Sequence, residues 1–227
     1  MDNNSELQND IKVFTMRLSW RDADRDFRKH LPGGETTERH LTETLHSVKT
    51  GFKPLPGFDP ERDDLEYYRA QQEIDCDEVY PGIYIGDAAT AKNKSYLTML
   101  GITHLLNAAE GKTFGFVNTG KDYYVNTTIK YLGLSLADHP TVDISKYFHT
   151  AASFIDEAVS SNGKVFVHCM LGVSRSATCV LAYLMIKKNM LAVDAIRIVR
   201  EKRDIHPNYG FRSQLAQLDN QLRRQRL

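Results

Sequence analysis

The chain has 227 residues, and its hydrophobic share of 41% is enough for one sizeable core. Its 29 Lys and Arg residues balance 29 Asp and Glu residues, which excludes an overall electrostatic attraction to nucleic acid or to an anionic membrane. Three cysteines without an apolar signal segment argue against a secreted disulfide framework, and no apolar run approaches the roughly 20 residues that span a bilayer. We therefore expect a soluble protein of a reducing compartment.

Residues 1–57 are dense in charge and poor in large aliphatic residues, and they are interrupted by proline and glycine. We interpret them as a partly flexible N-terminal extension of a domain that spans residues 58–227. Within the extension, Leu41, Leu45 and Val48 follow helical spacing, which predicts a helix near 37–50. We expect this helix to pack on the domain as a lid or brace, with a partner-binding helix as the alternative.

The next elements alternate between helices and strands. The sequence predicts a short helix over 59–72, and from Val79 a strand, a turn and a second strand. It then predicts a helix at 93–100, a buried strand at 103–107, a loop with a few aromatic anchors at 114–128 and a strand at 131–136. This alternation predicts an α/β fold whose central sheet is mainly parallel.

Two aspartates follow the strand at 131–136. Asp143 directly precedes a helical stripe of apolar residues over 144–159, so it has a structural explanation as an N-cap. Asp138 has no comparable explanation.

The most informative stretch is the loop Cys169–Arg175, which lies between a predicted buried strand at 164–168 and a predicted helix from Ser176. Unpaired amides and the macrodipole at a helix N-terminus favour a bound anion. The same surroundings lower the pKa of a cysteine from about 8.5 to roughly 3.5–7.5, and an arginine can hold two phosphate oxygens. We therefore predict a phosphate-binding site with a nucleophile, and we expect an exposed, oxidation-prone thiolate at Cys169 but a core residue at Cys179.

Two further helices are predicted, over 192–203 and from Phe211 to Leu222. In a mainly parallel sheet, the loop Cys169–Arg175 then lies at the carboxyl edge of the strands, where open α/β sheets place their sites.

The pattern His168-Cys169-x-x-Gly172-x-x-Arg175-Ser176 resembles the signature of the cysteine-dependent protein phosphatases. The stretches 82–87, 100–109 and 207–211 resemble landmarks of the small atypical dual-specificity phosphatases, so the resemblance runs from about residue 75 to the C-terminus. It implies a mainly parallel sheet flanked by helices.

The resemblance also implies roles for individual residues. Cys169 is the nucleophile, Arg175 holds the phosphate, and Ser176 hydrogen-bonds the sulfur and helps it to leave. Asp138 matches the general acid of the family, with Asp143 as the minority alternative, and no metal or cofactor is required. The residues expected to border the bound substrate are His168, Met170, Leu171, Gly172, Val173, Ser174, Arg203 and Asn208.

The implied function is hydrolysis of phosphotyrosine and of phosphoserine and phosphothreonine in proteins, through a phosphocysteine. Mitogen-activated protein kinases are typical targets of relatives, in the cytoplasm and the nucleus. The loop positions Met170, Leu171 and Val173 are apolar, whereas lipid and RNA phosphatases of this fold carry extra basic residues in the loop. We therefore expect phosphorylated proteins as partners, neither nucleic acid nor membrane, and leave the oligomeric state open.

Three other interpretations remain. Ser174 resembles the nucleophile of a hydrolase elbow, but the closing glycine of G-x-S-x-G is missing and Arg175 would be unexplained. A zinc site at His168 and Cys169 lacks paired cysteines at ligand spacing. A catalytically silent phosphoprotein-binding module is disfavoured by the presence of Cys169, Arg175 and Asp138.

Overall fold

A five-stranded sheet forms the centre of the structure, a computed structural model that describes residues 31–59, 61 and 65–227. Its strands are β1 (Cys76–Tyr80), β2 (Ile83–Gly86), β3 (His104–Asn107), β4 (Lys130–Gly133) and β5 (Val165–His168). The spatial order is β1-β2-β5-β3-β4, and only the β1-β2 pair is antiparallel. The prediction of a mainly parallel α/β sheet is therefore confirmed.

Helices cover both faces of the sheet. They are α1 (Glu38–Ser47), α2 (Leu65–Glu73), α3 (Ala88–Lys92), α4 (Lys94–Met99), α5 (Phe148–Ser160), α6 (Arg175–Lys187), α7 (Ala192–Lys202) and α8 (Tyr209–Gln225). The predicted helices are confirmed, although the start of α2 adjoins residues outside the described ones, and α3 was not predicted because five residues are too short to show a helical stripe. None of the helices in the described ranges is long and apolar enough to cross a membrane.

The position of β5 determines where the candidate site lies. All four of its residues are buried, because β2 and β3 pair with it on either side and helices cover both faces. In the parallel register, His168 lies opposite Gly86 on β2 and Asn107 on β3, so three strands end at the same edge. The chain leaves β5 at this edge, as predicted, and enters the loop that leads to α6.

The connection from β3 to β4 and onward departs from the predicted boundaries. Within the stretch predicted as a loop, a 3₁₀ turn forms at Lys121–Tyr124, and Tyr124 is the buried anchor. The strand predicted to reach residue 136 ends at Gly133, after which Leu134 exchanges backbone hydrogen bonds with Asn107 and Glu110. The chain then turns toward the site edge.

Helix α1 belongs to the main core. Thr37 caps it, and Leu41 and Leu45 are fully buried in the cluster that contains α5 to α8. One compact unit spans Thr36–Leu222, so the helix braces the domain as expected. The predicted boundary between residues 57 and 58 thus falls inside this unit, because burial of two leucines joins the helix to the core. Residues 1–30 of the predicted extension lie outside the described residues.

A second, small unit contains residues 31–35 and 223–227. Within it, Arg223 donates hydrogen bonds to the carbonyl oxygens of Pro32 at 2.6 Å and Gly34 at 2.9 Å, and Arg224 pairs with Glu35. The basic C-terminus therefore has direct partners, beyond the predicted complement to the helix dipole.

Candidate active site

Cys169 is the first residue after β5, and its sulfur lies under the start of α6. Sγ lies 3.4 Å from Ser176 Oγ. Burial alone raises the pKa of the thiol, but hydrogen bonds from the Ser176 side chain and backbone, the charge of Arg175 and the Val173 amide outweigh it. The net pKa lies below the ordinary value, as predicted for a helix N-terminus. The expected exposure is wrong, because Cys169 is only 2% exposed.

The backbone of the loop is tightly fitted at Gly172. Its φ of +67° lies in the left-handed region, and a Cβ there would collide with the carbonyl of Gly86 and lie 2.7 Å from Arg203 Nη2. Only glycine allows the loop to approach β2 so closely. After this turn, the backbone amides of Val173 and Ser176 hydrogen-bond Cys169.

Arg175 is the first residue of α6 and is 4% exposed. Its Nη1 donates to the carbonyl oxygens of Gly115 and Leu136, each at 2.9 Å. Nε is buried and makes no hydrogen bond within the described part of the chain, although Asp138 Oδ2 lies 3.6 Å away. The guanidinium is thus held in place while one buried donor stays available to an anion.

Asp138 reaches the loop from the segment that follows β4. Its Oδ1 accepts hydrogen bonds from Ser174 Oγ and from Asn208 Nδ2, both at 2.8 Å. The backbone N–H of Asn208 also donates to Ser174 Oγ at 3.3 Å, so three separate segments of the chain are joined. Both of these donors bind Oδ1, whereas Oδ2 lies 3.6 Å from Arg175 Nε.

Asp143 makes different contacts. Its Oδ1 accepts from the backbone amide and the hydroxyl of Ser145, at 3.1 and 2.6 Å, and these bonds lower its pKa. It precedes the 3₁₀ turn Ser145–Tyr147, whose N-cap residue is Ile144 and which has no side-chain cap hydrogen bond, so the prediction that Asp143 is an N-cap is wrong. The structure therefore brings Asp138, rather than Asp143, to the loop.

Arg203 lies behind the loop, and all three nitrogens of its guanidinium donate hydrogen bonds. Nε donates to the Gly172 carbonyl at 2.8 Å, and Nη2 to the Leu171 carbonyl at 3.1 Å. Nη1 and Nη2 form a fork with Asp75 at 2.6 and 2.7 Å, and Nη1 also reaches Asp77 at 2.8 Å. Since these donors are engaged, we expect Arg203 to support the loop instead of touching substrate. The two aspartates were missed by sequence reasoning, because nothing local links them to a residue about 130 positions away.

His168 is likewise a supporting residue. It is fully buried, and Nδ1 lies 3.1 Å from the carbonyl oxygen of Cys169. Burial lowers the pKa of the imidazole to about 4, so it is neutral near pH 7. Of the predicted substrate contacts, Leu171 is 66% exposed, whereas Met170 and Val173 are half-buried.

The other two cysteines are structural. Cys76 and Cys179 are buried, and burial raises the pKa of both thiols to about 12. The core prediction for Cys179 is confirmed. Within the described ranges, no three His, Cys, Asp or Glu side chains converge as metal ligands.

In this fold, a mainly parallel sheet places a cysteine with a lowered pKa, a buried arginine and an aspartate at one helix N-terminus. This arrangement defines a cysteine-dependent phosphatase fold. The sequence matches the family model described as dual specificity phosphatase, catalytic domain, over residues 83–221. This match covers more than half of the chain, which therefore belongs to the dual-specificity phosphatase family, and its structural neighbours place it with the atypical members.

Solved structures agree with this assignment. Human DUSP28 is 25% identical, with 65% of this chain and 94% of that chain covered and a TM-score of 0.57. The human tyrosine phosphatase-like serine/threonine/tyrosine-interacting protein is 33% identical, with 63% and 94% covered and a TM-score of 0.56. DUSP15 is 32% identical, with 66% and 93% covered and a TM-score of 0.54.

Proposed function

We propose that this chain hydrolyses phosphate monoesters of tyrosine, serine and threonine in proteins, through a phosphocysteine at Cys169. The observation that carries the proposal is a buried thiol whose pKa is nevertheless lowered, next to an anchored guanidinium with an available donor. A thiolate at neutral pH is the attacking species that this chemistry needs.

In the first step, the Cys169 thiolate forms a bond to phosphorus, and the bond between phosphorus and the ester oxygen breaks. Asp138 gives its proton to the departing oxygen from Oδ2, since Oδ1 is held by Ser174 and Asn208. In the second step, water attacks phosphorus, Asp138 takes its proton, and the sulfur leaves as thiolate, stabilised by Ser176. Loop amides and Arg175 bind the phosphoryl oxygens in both steps.

Phosphoproteins are the proposed substrates because the loop offers an exposed Leu171 and no basic residue besides Arg175. Mitogen-activated protein kinases are the candidate targets within this class, in the cytoplasm or the nucleus. A panel of phosphorylated kinases, compared with phosphoinositides under the same conditions, tests this choice. Faster hydrolysis of phosphoinositides would refute it.

A binding module without turnover is the second candidate, because one similar solved structure is titled a phosphatase-like interacting protein. The proposed chemistry distinguishes the two functions with p-nitrophenyl phosphate as substrate. We expect turnover that vanadate inhibits and that Cys169→Ser abolishes, while a phosphopeptide still binds the variant. Phosphopeptide binding without any turnover by the natural chain would instead support the binding module.

A further inference from the structure

Arg212 joins the N-terminal helix α1 to the turn that precedes α8. It is the fourth residue of α8, and only 17% of its side chain is exposed. Its Nε and Nη2 both contact Glu38 Oε1 on α1, each at 2.6 Å. Its Nη1 donates to the carbonyl oxygen of Pro207, also at 2.6 Å. One guanidinium therefore holds a carboxylate of α1 and a backbone carbonyl beside the candidate active site.

The carbonyl of Pro207 and the N–H of Asn208 belong to the same peptide group. This group is planar, so a contact that fixes the carbonyl also fixes the direction of the N–H. The N–H donates to Ser174 Oγ at 3.3 Å, and Ser174 Oγ donates to Asp138 Oδ1 at 2.8 Å. Arg212 and Ser174 therefore hold the two ends of one rigid unit, and the second end leads to Asp138.

The side chain of Asn208 provides a second connection. Its Nδ2 donates to Asp138 Oδ1 at 2.8 Å, and its Oδ1 accepts the backbone N–H of Phe211 at 3.0 Å. The carbonyl oxygen of Asn208 accepts the backbone N–H of Arg212, likewise at 3.0 Å. The position of Asn208 therefore depends on how the start of α8 is held, and both hydrogen bonds to Asp138 depend on Asn208.

Glu38 holds the guanidinium of Arg212 in this orientation. Its Oε1 also accepts the hydroxyl of Thr42 at 2.7 Å. Hydrogen bonds from Thr42 and then from Arg212 lower the pKa of the Glu38 carboxyl, against the effect of burial. The contact is therefore a charge-assisted hydrogen bond at neutral pH, which is stronger than a neutral one. The helix that carries Glu38 is itself fixed, because Leu41 and Leu45 are buried in the core.

We propose that Arg212 is a positioning residue for Asp138, and that Glu38 of α1 orients Arg212 for this role. The inference rests on the proposed function, in which Asp138 gives its proton to the departing oxygen. The effect of Arg212 passes through the peptide group of Pro207 and Asn208, because its side chain contacts that group and not the acid. Helix α1 thereby helps to place the acid, in addition to bracing the core.

The readout is the dependence of kcat/KM on the leaving group, because kcat/KM includes the step in which the bond between phosphorus and oxygen breaks. Phenol has a pKa of about 10, like the tyrosine side chain, so phenyl phosphate needs a positioned acid. p-Nitrophenyl phosphate has a better leaving group and needs the acid less. We expect Arg212→Ala to lower kcat/KM for phenyl phosphate by about 10–100-fold, and by clearly less for p-nitrophenyl phosphate. Glu38→Gln should cause the same selective loss to a smaller extent.

A second readout separates the acid from the nucleophile. The pH midpoint for alkylation of Cys169 should remain that of the natural chain in both variants, because the groups that stabilise the thiolate are Ser176, Arg175 and the Val173 amide. A shifted midpoint would overturn the proposal, since the whole loop and not the acid would then be disturbed. Glu38→Gln preserves the size of the side chain, so it carries the test by itself if Arg212→Ala does not fold.

The matched controls are Arg39→Ala and Glu43→Gln. Arg39 and Glu43 form an ion pair at 2.8 Å on the same helix, but their side chains are 85% and 57% exposed. These variants should leave kcat/KM unchanged for both substrates.

Equal losses on both substrates in the Arg212 and Glu38 variants, no loss, or the same selective loss in the controls would overturn the proposal. If the natural chain hydrolysed neither substrate, the proposed function would fail. That result is distinct from turnover by the natural chain without a selective loss in the variants, which would overturn this inference alone.

Discussion

Replacing Ser176 with alanine tests how the buried thiolate is stabilised. Ser176 Oγ lies 3.4 Å from the sulfur, and both groups are shielded from water. A hydrogen bond to a charged group contributes about 1.5–3 kcal/mol, and one pKa unit corresponds to about 1.36 kcal/mol. We therefore expect Ser176→Ala to raise the pKa of Cys169, because the variant lacks the side-chain hydrogen bond that favours the thiolate.

The assay is the rate of alkylation of Cys169 by iodoacetamide as a function of pH. Ser174→Ala is the matched control, because its hydroxyl donates to Asp138 and accepts from the Asn208 backbone N–H, whereas the hydrogen bond to the sulfur comes from Ser176. We expect the midpoint of alkylation to rise only in the Ser176 variant. An unchanged midpoint there, or the same rise in both variants, would refute the assignment of the effect to this hydrogen bond.

Three further predictions follow from the site. Asp138→Asn should lower kcat on phosphopeptides by about 10²–10⁴, and by less on p-nitrophenyl phosphate, which has a better leaving group. Asp143→Asn should retain full activity, and equal losses in the two variants would contradict the assignment of Asp138 as the acid. Because the pKa of His168 is lowered to about 4, the unfolded chain takes up a proton there before the folded chain does as pH falls. Chemical denaturation should therefore show that the free energy of unfolding falls by about 3 kcal/mol from pH 6.5 to 4 and does not change through this group above pH 6.5. In His168→Gln, the free energy of unfolding should depend less steeply on pH. At Gly210 a Cβ would collide with the backbone two residues past Asp138, so Gly210→Ala should lower both Tm and kcat and cost about 1–3 kcal/mol, whereas Ser213→Ala on the same helix should change neither.

Local sequence was sufficient for the central unit of the site. The strand, the loop and the helix around Cys169 are contiguous, so their residue types alone determine a buried strand, an anion-binding turn and a helix N-terminus. The choice between Asp138 and Asp143 also began from local reasoning, since only Asp143 directly precedes a helical stripe. In the fold, Asp143 binds Ser145 but is not an N-cap, because a 3₁₀ turn that begins after Ile144 intervenes before α5. Asp138 is joined to Ser174.

Contacts between distant segments were not predictable in the same way. Arg175 donates to the carbonyl oxygens of Gly115 and Leu136, which lie 60 and 39 positions earlier in the chain. Arg203 was predicted to border the substrate, and nothing local in the sequence indicated that it binds Asp75 and two loop carbonyls. Backbone carbonyls have no sequence signature, because every residue carries one.

The sequence by itself was sufficient to predict the proposed chemistry, because Cys169, Arg175 and the helix start lie within eight consecutive residues, 169–176. Only the tertiary structure decided that the thiol is buried and that Arg203 binds the loop from behind. The reason is physical. Burial and pairing depend on which distant segments pack together, and that packing minimises the free energy of the whole chain instead of any one segment.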